Sequence, residues 1–331
     1  MPSSTSNSER KPSSKRGTIA SAAFVCLAVL CYCYIEYRAQ RLDFANGVLE
    51  SREDSEAEYR TIVEAGKRPA DATRMLVLGN SLLLRGLEFE KVQSSLSPDI
   101  DAKRMVVVNT SYFDWYYTLR KMFREGAKAD VVVLVLNAKQ FAAWNVREDY
   151  FARHLMPLRD IFSIAWNMRL SNTEASNLVF ANLSQYYDLR AKIRNKQINK
   201  IFKNLGPLMA MITHEPPPVV KPIPESFAVE RLQAMRDLVG QWNAKFILVL
   251  PPSDGGKGDI NAAILQAAGK TAGVPVLVPV EAGSLGADHY MDGFHLNKLG
   301  AETFTPRFIA SIEEEMGGRL AKKETRTASV K

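Results

Sequence analysis

From residue 73 onward the chain repeats one pattern: a short unbroken apolar run, followed by a longer stretch with helical spacing. Five such runs occupy residues 75–78, 105–108, 131–136, 246–250 and 274–278. Continuous rather than alternating apolar runs belong to strands covered on both faces. Residues 82–93, 115–126 and 298–316 carry apolar positions at helical spacing. Strands alternating with helices predict an α/β fold, a three-layer doubly wound parallel sheet of flavodoxin-like type. In such sheets functional sites open at the carboxyl ends of the strands.

The alternation breaks between about 142 and 228. This stretch carries Trp144, Trp166, Phe180, Tyr186 and Tyr187, a basic run from Arg190 to Lys203, and then Pro216, Pro217, Pro218, Pro222 and Pro224. It reads as a helical insertion or lid closed by an extended proline-rich linker. The basic run is either a solvated face or a grip for an anionic glycan or lipid headgroups.

Upstream, residues 17–35 form 19 consecutive uncharged positions, a helix of about 28 Å at ~1.5 Å per residue, close to a bilayer core. A cleaved signal peptide is the rival reading, but no small-x-small site closes the run, and Tyr32, Tyr34 and Tyr37 resemble interfacial anchors. Residues 17–36 are therefore expected to be an uncleaved transmembrane signal anchor. Arg and Lys crowd the N-terminal flank, whereas Glu36, Arg38, Arg41 and Asp43 roughly cancel, so the N-terminus is placed in the cytoplasm and the body outside, periplasmic or extracellular. Residues 1–16 are expected to be a disordered cytoplasmic tail, 37–72 a helical stalk, 73–316 the α/β domain and 317–331 a disordered basic tail.

The net charge of +7 changes meaning once divided. Arg10, Lys11, Lys15 and Arg16 against Glu9 give +3 at one end; Arg319, Lys322, Lys323, Arg326 and Lys331 against Glu324 give +4 at the other. The two ends account for the whole excess, so the body is neutral and no nucleic-acid partner is expected. Cys26, Cys31 and Cys33 all lie in the apolar run, which leaves the body without disulfide or thiolate metal site. Leu30 before Cys31 also makes a poor lipidation site.

Two segments carry candidate chemistry. Val77-Leu78-Gly79-Asn80-Ser81 is a strand that breaks at glycine and runs into the helical Leu82-Leu83-Leu84-Arg85-Gly86. This context lifts the Ser81 hydroxyl to the sheet edge and aims the first N–H groups of a helix at the same point, a setting for an oxyanion. A plain N-cap serine would look the same. Asp292-Gly293-Phe294-His295 lies between the last apolar run and the final helix, and Gly293 lets the loop fold back so that Asp292 can accept from the imidazole. A serine hydroxyl needs such a base, and the base needs an orienting acid. Asp254, Asp259, Asp288, His289 and His295 are available for a two-metal phosphoesterase site, but their spacing resembles none; no metal or cofactor is expected. His154 and His289 are expected to be ordinary surface or structural histidines, and His214 a linker residue.

Gly79-Asn80-Ser81 after the first strand, Asn109 after the second, and Asp292-Gly293-Phe294-His295-Leu296-Asn297 with Gly300 opening the last helix resemble the SGNH/GDSL hydrolase-fold family over residues 73–315, interrupted by the insertion. The resemblance implies Ser81 as nucleophile, His295 as base and Asp292 as orienting acid. It also implies oxyanion donors, for which Ser81, Asn137 and Asn109 are the candidates. Two departures stand out. Asn80 replaces the usual aspartate, and residues 108–114 lack the usual glycine while Asn137 is out of register with the usual Gly-x-Asn-Asp block. With the single N-terminal anchor, these departures are similar to the membrane-tethered branch, which includes the D-alanyl transfer protein of teichoic acid modification and polysaccharide O-acyltransferases. That likeness implies an acyl-serine enzyme, O-acyltransferase or esterase, acting on an acylated cell-envelope or exported polysaccharide and supplied by a membrane acyl-donor protein. The alternative is a catalytically inactive protein of the same fold that binds glycan or an envelope-assembly partner.

Overall fold

The structure is a computed structural model that describes residues 15–41, 50–67, 72–146, 151–201, 222–253 and 260–328. At its centre lie five parallel strands: β1 (Thr73–Gly79), β2 (Ile100–Val106), β3 (Val131–Val135), β4 (Lys245–Val249) and β5 (Val276–Leu277), in the order β2-β1-β3-β4-β5. The order reverses direction at β1, between β2 and β3, which opens a crevice at the carboxyl ends of those strands. Registers are continuous across the middle: Gly79 pairs with Val106 on one side and Val135 on the other, and Val135 pairs with Val249.

Successive side chains of a strand point to opposite faces, and here both faces are buried. Leu76, Leu78, Val132, Leu134, Phe246 and Leu248 join one apolar cluster; Met75, Val77, Val131, Val133, Ile247 and Val249 join another. The first cluster is covered by α5 (Tyr112–Arg124), α6 (Ala138–Ala142), α10 (Glu225–Gly240) and α11 (Ile260–Ala272). The second is covered by α3 (Ser81–Gly86), α4 (Phe89–Ser95) and α12 (Lys298–Ala328). The result is the expected three-layer α/β sandwich.

Several boundaries differ from the sequence reading. β2 begins at Ile100 rather than 105, because an edge strand covered only in part admits the half-buried Asp101, Lys103 and Arg104 among its buried Ala102, Met105 and Val106. The helical stretch after Ser81 divides into α3 and α4, with Leu87 as an extended C-cap. α12 continues to Ala328, past the expected end at 316; Arg319-Leu320-Ala321-Lys322-Lys323-Glu324 are all good helix formers.

The expected helical stalk is also corrected. α1 (Lys15–Gln40) and α2 (Glu50–Gly66) are both helical, but α2 does not stand clear of the body. Its Ile62 and Val63 are buried in the first cluster, Glu58 receives hydrogen bonds from Arg104 Nε (2.9 Å) and the Val106 N–H (2.8 Å), and Ser55 donates to the Val106 carbonyl. α2 therefore covers β2 at the sheet edge, a standard protection for an edge strand. The apolar part of α1, residues 18–39, is fully exposed over its most hydrophobic window and is long enough to cross a bilayer.

Between β3 and β4 the insertion contains a π-helical turn (Phe151–Leu155), α7 (Leu158–Asn167), α8 (Asn172–Leu183) and α9 (Gln185–Ile201). Pro216, Pro217, Pro218 and His214 of the expected linker lie outside the described residues, as do Asp254 and Asp259.

Candidate active site

Ser81 is the first residue of α3 and follows the carboxyl end of β1 by two positions. Its approach is set by Gly79 and Asn80. A Cβ on residue 79 would lie 2.8 Å from Leu83 Cβ and 2.9 Å from the Val135 carbonyl oxygen, so only glycine lets the helix start this close to the sheet. Asn80 is completely buried and uses its amide twice: Oδ1 accepts from the Leu82 N–H at 3.0 Å, capping α3, and Nδ2 donates to the Thr110 carbonyl at 2.8 Å, tying β1 to the loop after β2. An ionised aspartate could cap but could not make the second bond, which explains the asparagine in this position.

The base arrives from the other end of the chain. Residues 290–296 form a small hairpin closed by an antiparallel bridge between Tyr290 and Leu296 and by the Met291 N–H donating to the His295 carbonyl (2.9 Å). Gly293 sits at its turn with φ +76°, the region L side chains avoid. Asp292 Oδ1 accepts from the N–H groups of Phe294 (3.0 Å) and His295 (2.7 Å), while Oδ2 lies 2.7 Å from His295 Nδ1. The His295 backbone N–H and ring together hold the Asp292 carboxyl down to about 2, well below the usual carboxylate range, although the side chain is half exposed. With Nδ1 donating to a carboxylate, Nε2 is left as the acceptor, and it lies 2.9 Å from Ser81 Oγ. Packing of α12 holds the hairpin in place: the Glu88 N–H donates to Thr305 Oγ1 (3.0 Å), and Leu296, Phe304 and Phe308 fill the cluster beneath α3.

Asn109 and Asn137 occupy neighbouring positions at the same sheet edge. Asn137 follows Val135 by two residues, as Ser81 follows Gly79, and Gly79 and Val135 are paired; Asn109 follows Val106, the other partner of Gly79. Asn109 has φ +59°, a conformation asparagine tolerates better than most side chains. Asn137 is buried and caps α6, accepting from the Gln140 N–H at 2.8 Å, and its Nδ2 donates to Ser253 Oγ at 3.0 Å. One Nδ2 hydrogen is thereby committed, which sequence alone did not reveal.

Of the remaining histidines, His154 Nδ1 lies 3.2 Å from Glu56 of α2 and His289 Nδ1 lies 2.9 Å from Asp288. Among the described residues no three His, Cys, Asp or Glu side chains converge on a point that could hold a metal ion.

One buried group escaped the sequence reading. Arg231 of α10, 4% exposed, donates through Nη1 to the carbonyls of Phe141 and Ala143 and lies within about 5 Å of the rings of Tyr112, Phe113, Trp144 and Phe227. It caps the end of α6 and so steadies the segment bearing Asn137; burial pulls its guanidinium down to about 10. A single arginine in an amphipathic helix gives no sequence signal for this.

No family model matches the chain, and no curated protein sequence does. Among solved structures it is similar to a GDSL-like lipase from Bacteroides thetaiotaomicron (11% identity, 80% of this chain and 98% of the other, TM-score 0.37). It is also similar to a Bacillus subtilis protein, YXIM (12% identity, 76% and 58%, TM-score 0.39), and to a mutant of a Geobacillus acetyl-xylooligosaccharide esterase (9% identity, 73% and 94%, TM-score 0.37). At such identities and scores the geometry of residues 81, 292 and 295 has to carry the functional reading by itself.

Proposed function

We propose that the chain is a membrane-anchored serine acyl-ester enzyme, an O-acyltransferase or esterase whose body lies outside the cytoplasmic membrane and acts on an acylated envelope or exported polysaccharide. The observation that carries the chemistry is the unbroken relay from Ser81 Oγ to His295 Nε2 (2.9 Å) and from His295 Nδ1 to Asp292 (2.7 Å). The apolar helix at 18–39 and the lysine and arginine residues before it support the anchoring and its orientation.

His295 removes the Ser81 proton as Oγ attacks the ester carbonyl carbon. The tetrahedral oxygen is met by the Ser81 N–H and by the second Nδ2 hydrogen of Asn137. Collapse expels the alcohol, which takes its proton from His295 and leaves an acyl-serine. Water, or a sugar hydroxyl, then gives its proton to His295 and attacks the acyl carbon; the departing Ser81 Oγ takes that proton from His295, which restores both side chains. Asp292 remains ionised throughout and stabilises the imidazolium. Whether water or hydroxyl completes the cycle separates esterase from transferase.

Ser81→Ala should abolish release of nitrophenol from nitrophenyl acetate by the full-length protein while its unfolding midpoint stays unchanged, and a fluorophosphonate probe should label the wild type at residue 81 alone. Turnover surviving in the variant would sink the assignment. A second reading, a non-catalytic glycan binder, is favoured by the bond that Asn137 already makes to Ser253; a folded protein inert to the probe would support it.

A further inference from the structure

The insertion leaves large apolar side chains in water. Leu158, Phe162 and Trp166 recur every fourth residue along α7 and so share one face, with Phe162 70% and Trp166 84% exposed. Phe180 and Leu183 at the end of α8 and Tyr186 at the start of α9 are exposed as well. These are not core positions left uncovered, because the inward sides of the same helices are already filled by Ile161, Ile164, Leu178 and Ala181. Large apolar side chains exposed in such number on three successive helices mark a contact with something else.

What lies beside the surface points to its partner. Glu36, just past the uncharged stretch of α1, accepts from Ser184 Oγ and from the N–H groups of Gln185 (2.8 Å) and Tyr186 (3.4 Å), and so caps α9. Leu183 and Tyr186 therefore adjoin the outer end of the apolar helix, where Tyr32, Tyr34 and Tyr37 are also exposed. Charge points the same way. Arg159 and Arg169 flank the α7 stripe in solvent, and the α9 sequence holds five basic residues against one acid, Asp188, which is buried. The α7 acid, Asp160, is buried against Arg124, and the exposed Glu174 of α8 is held in a capping box with Ser171. Aromatic and aliphatic side chains rimmed by arginine match the headgroup zone of an anionic bilayer.

We infer that α7, the end of α8 and the start of α9 form a second membrane contact, seated in the headgroup layer of the leaflet from which α1 emerges. The inference rests on the reading of α1 as a spanning helix. The apolar side chains would enter about 5–10 Å below the headgroups, and the Glu36 cap fixes the height at which they do so.

The test uses the full-length chain in vesicles of phosphatidylcholine and phosphatidylglycerol. Alkaline carbonate extraction comes first: release of the chain sinks the anchoring itself and this inference with it. With the chain retained, the fluorescence difference between wild type and Trp166→Phe isolates the signal of Trp166. That signal should be blue-shifted, lose most of its intensity to lipid brominated high on the acyl chain, and resist aqueous iodide. A Trp166 signal quenched by iodide and untouched by bromolipid overturns the membrane contact while leaving the anchor standing. A signal shielded from both quenchers means that a protein covers the surface, and overturns it equally.

Discussion

Asn80 offers the sharpest check on how the nucleophile is held. Its side chain caps α3 through Leu82 and satisfies the Thr110 carbonyl, and nothing of it reaches solvent. Asn80→Ala removes a cap, about 1 kcal/mol, and strands a buried carbonyl, about 1–3 kcal/mol, so the variant should lose about 2–4 kcal/mol of stability. Asn80→Asp separates the two contributions, since a carboxylate still caps the helix and gains from its N-terminal dipole, yet sets an oxygen against the Thr110 oxygen. Only the protonated acid can restore the donor. Its folded-state pKa is therefore raised above the unfolded ~3.9, and a raised acid costs stability as pH climbs. Below the unfolded ~3.9 Asn80→Asp should approach wild-type stability; from there it should fall as pH rises toward the raised folded-state pKa and level off above it. Urea unfolding of the full-length chain in detergent, followed by near-ultraviolet circular dichroism at a series of pH values, reads both effects. An alanine variant within about 0.5 kcal/mol of wild type, or an aspartate variant whose stability tracks wild type at every pH, would refute the two-way role of this amide.

Asp292→Asn should lower kcat on the order of 10³–10⁴-fold by disturbing the imidazole tautomer, with neutral-pH folding intact; steady-state hydrolysis of a nitrophenyl ester measures it, and a loss under about tenfold would exclude Asp292 as the orienting acid. Because the Asp292 carboxyl is depressed to about 2, its contribution to stability is fully present above the unfolded ~3.9 and is lost as pH falls toward about 2. The stability difference between wild type and Asp292→Asn should accordingly shrink only in that acid window, as seen by unfolding at successive pH values. Gly79→Ala should cost about 1–3 kcal/mol through overpacking, because the added Cβ meets the Val135 carbonyl at 2.9 Å; an unchanged melting temperature would show that the start of α3 can yield.

The parallel sheet was legible because its three central strands are buried on both sides, and an unbroken apolar run has few other uses. β2 was harder to place for the opposite reason: it is only partly buried, and charged residues interrupt it, Lys103 paired with Asp101 and Arg104 with Glu58. The pairing of Ser81 with His295 could be anticipated from one glycine-broken strand and one Asp-x-x-His loop, since each side chain stands beside a position at which the chain must turn. Asn80 was read only as a departure from the usual aspartate, because its second bond is to a backbone carbonyl 30 residues away, and a sequence does not show which carbonyls lack donors. The same holds for Arg231, whose acceptors are the carbonyls of Phe141 and Ala143. α2 looked like a solvated spacer because its charges dominate its composition, yet the few apolar residues among them, Ile62 and Val63, are the ones that pack.

Asp292 and His295 stand three positions apart on one turn, whereas the Ser81 hydroxyl that His295 faces lies 214 positions earlier in the chain. During synthesis the Ser81 hydroxyl therefore emerges well before the ring that it faces in the folded chain. The two side chains can meet only once α12 has docked beneath α3. Any lesion in α12 that prevents that docking would part the ring from the hydroxyl beside it without touching the serine.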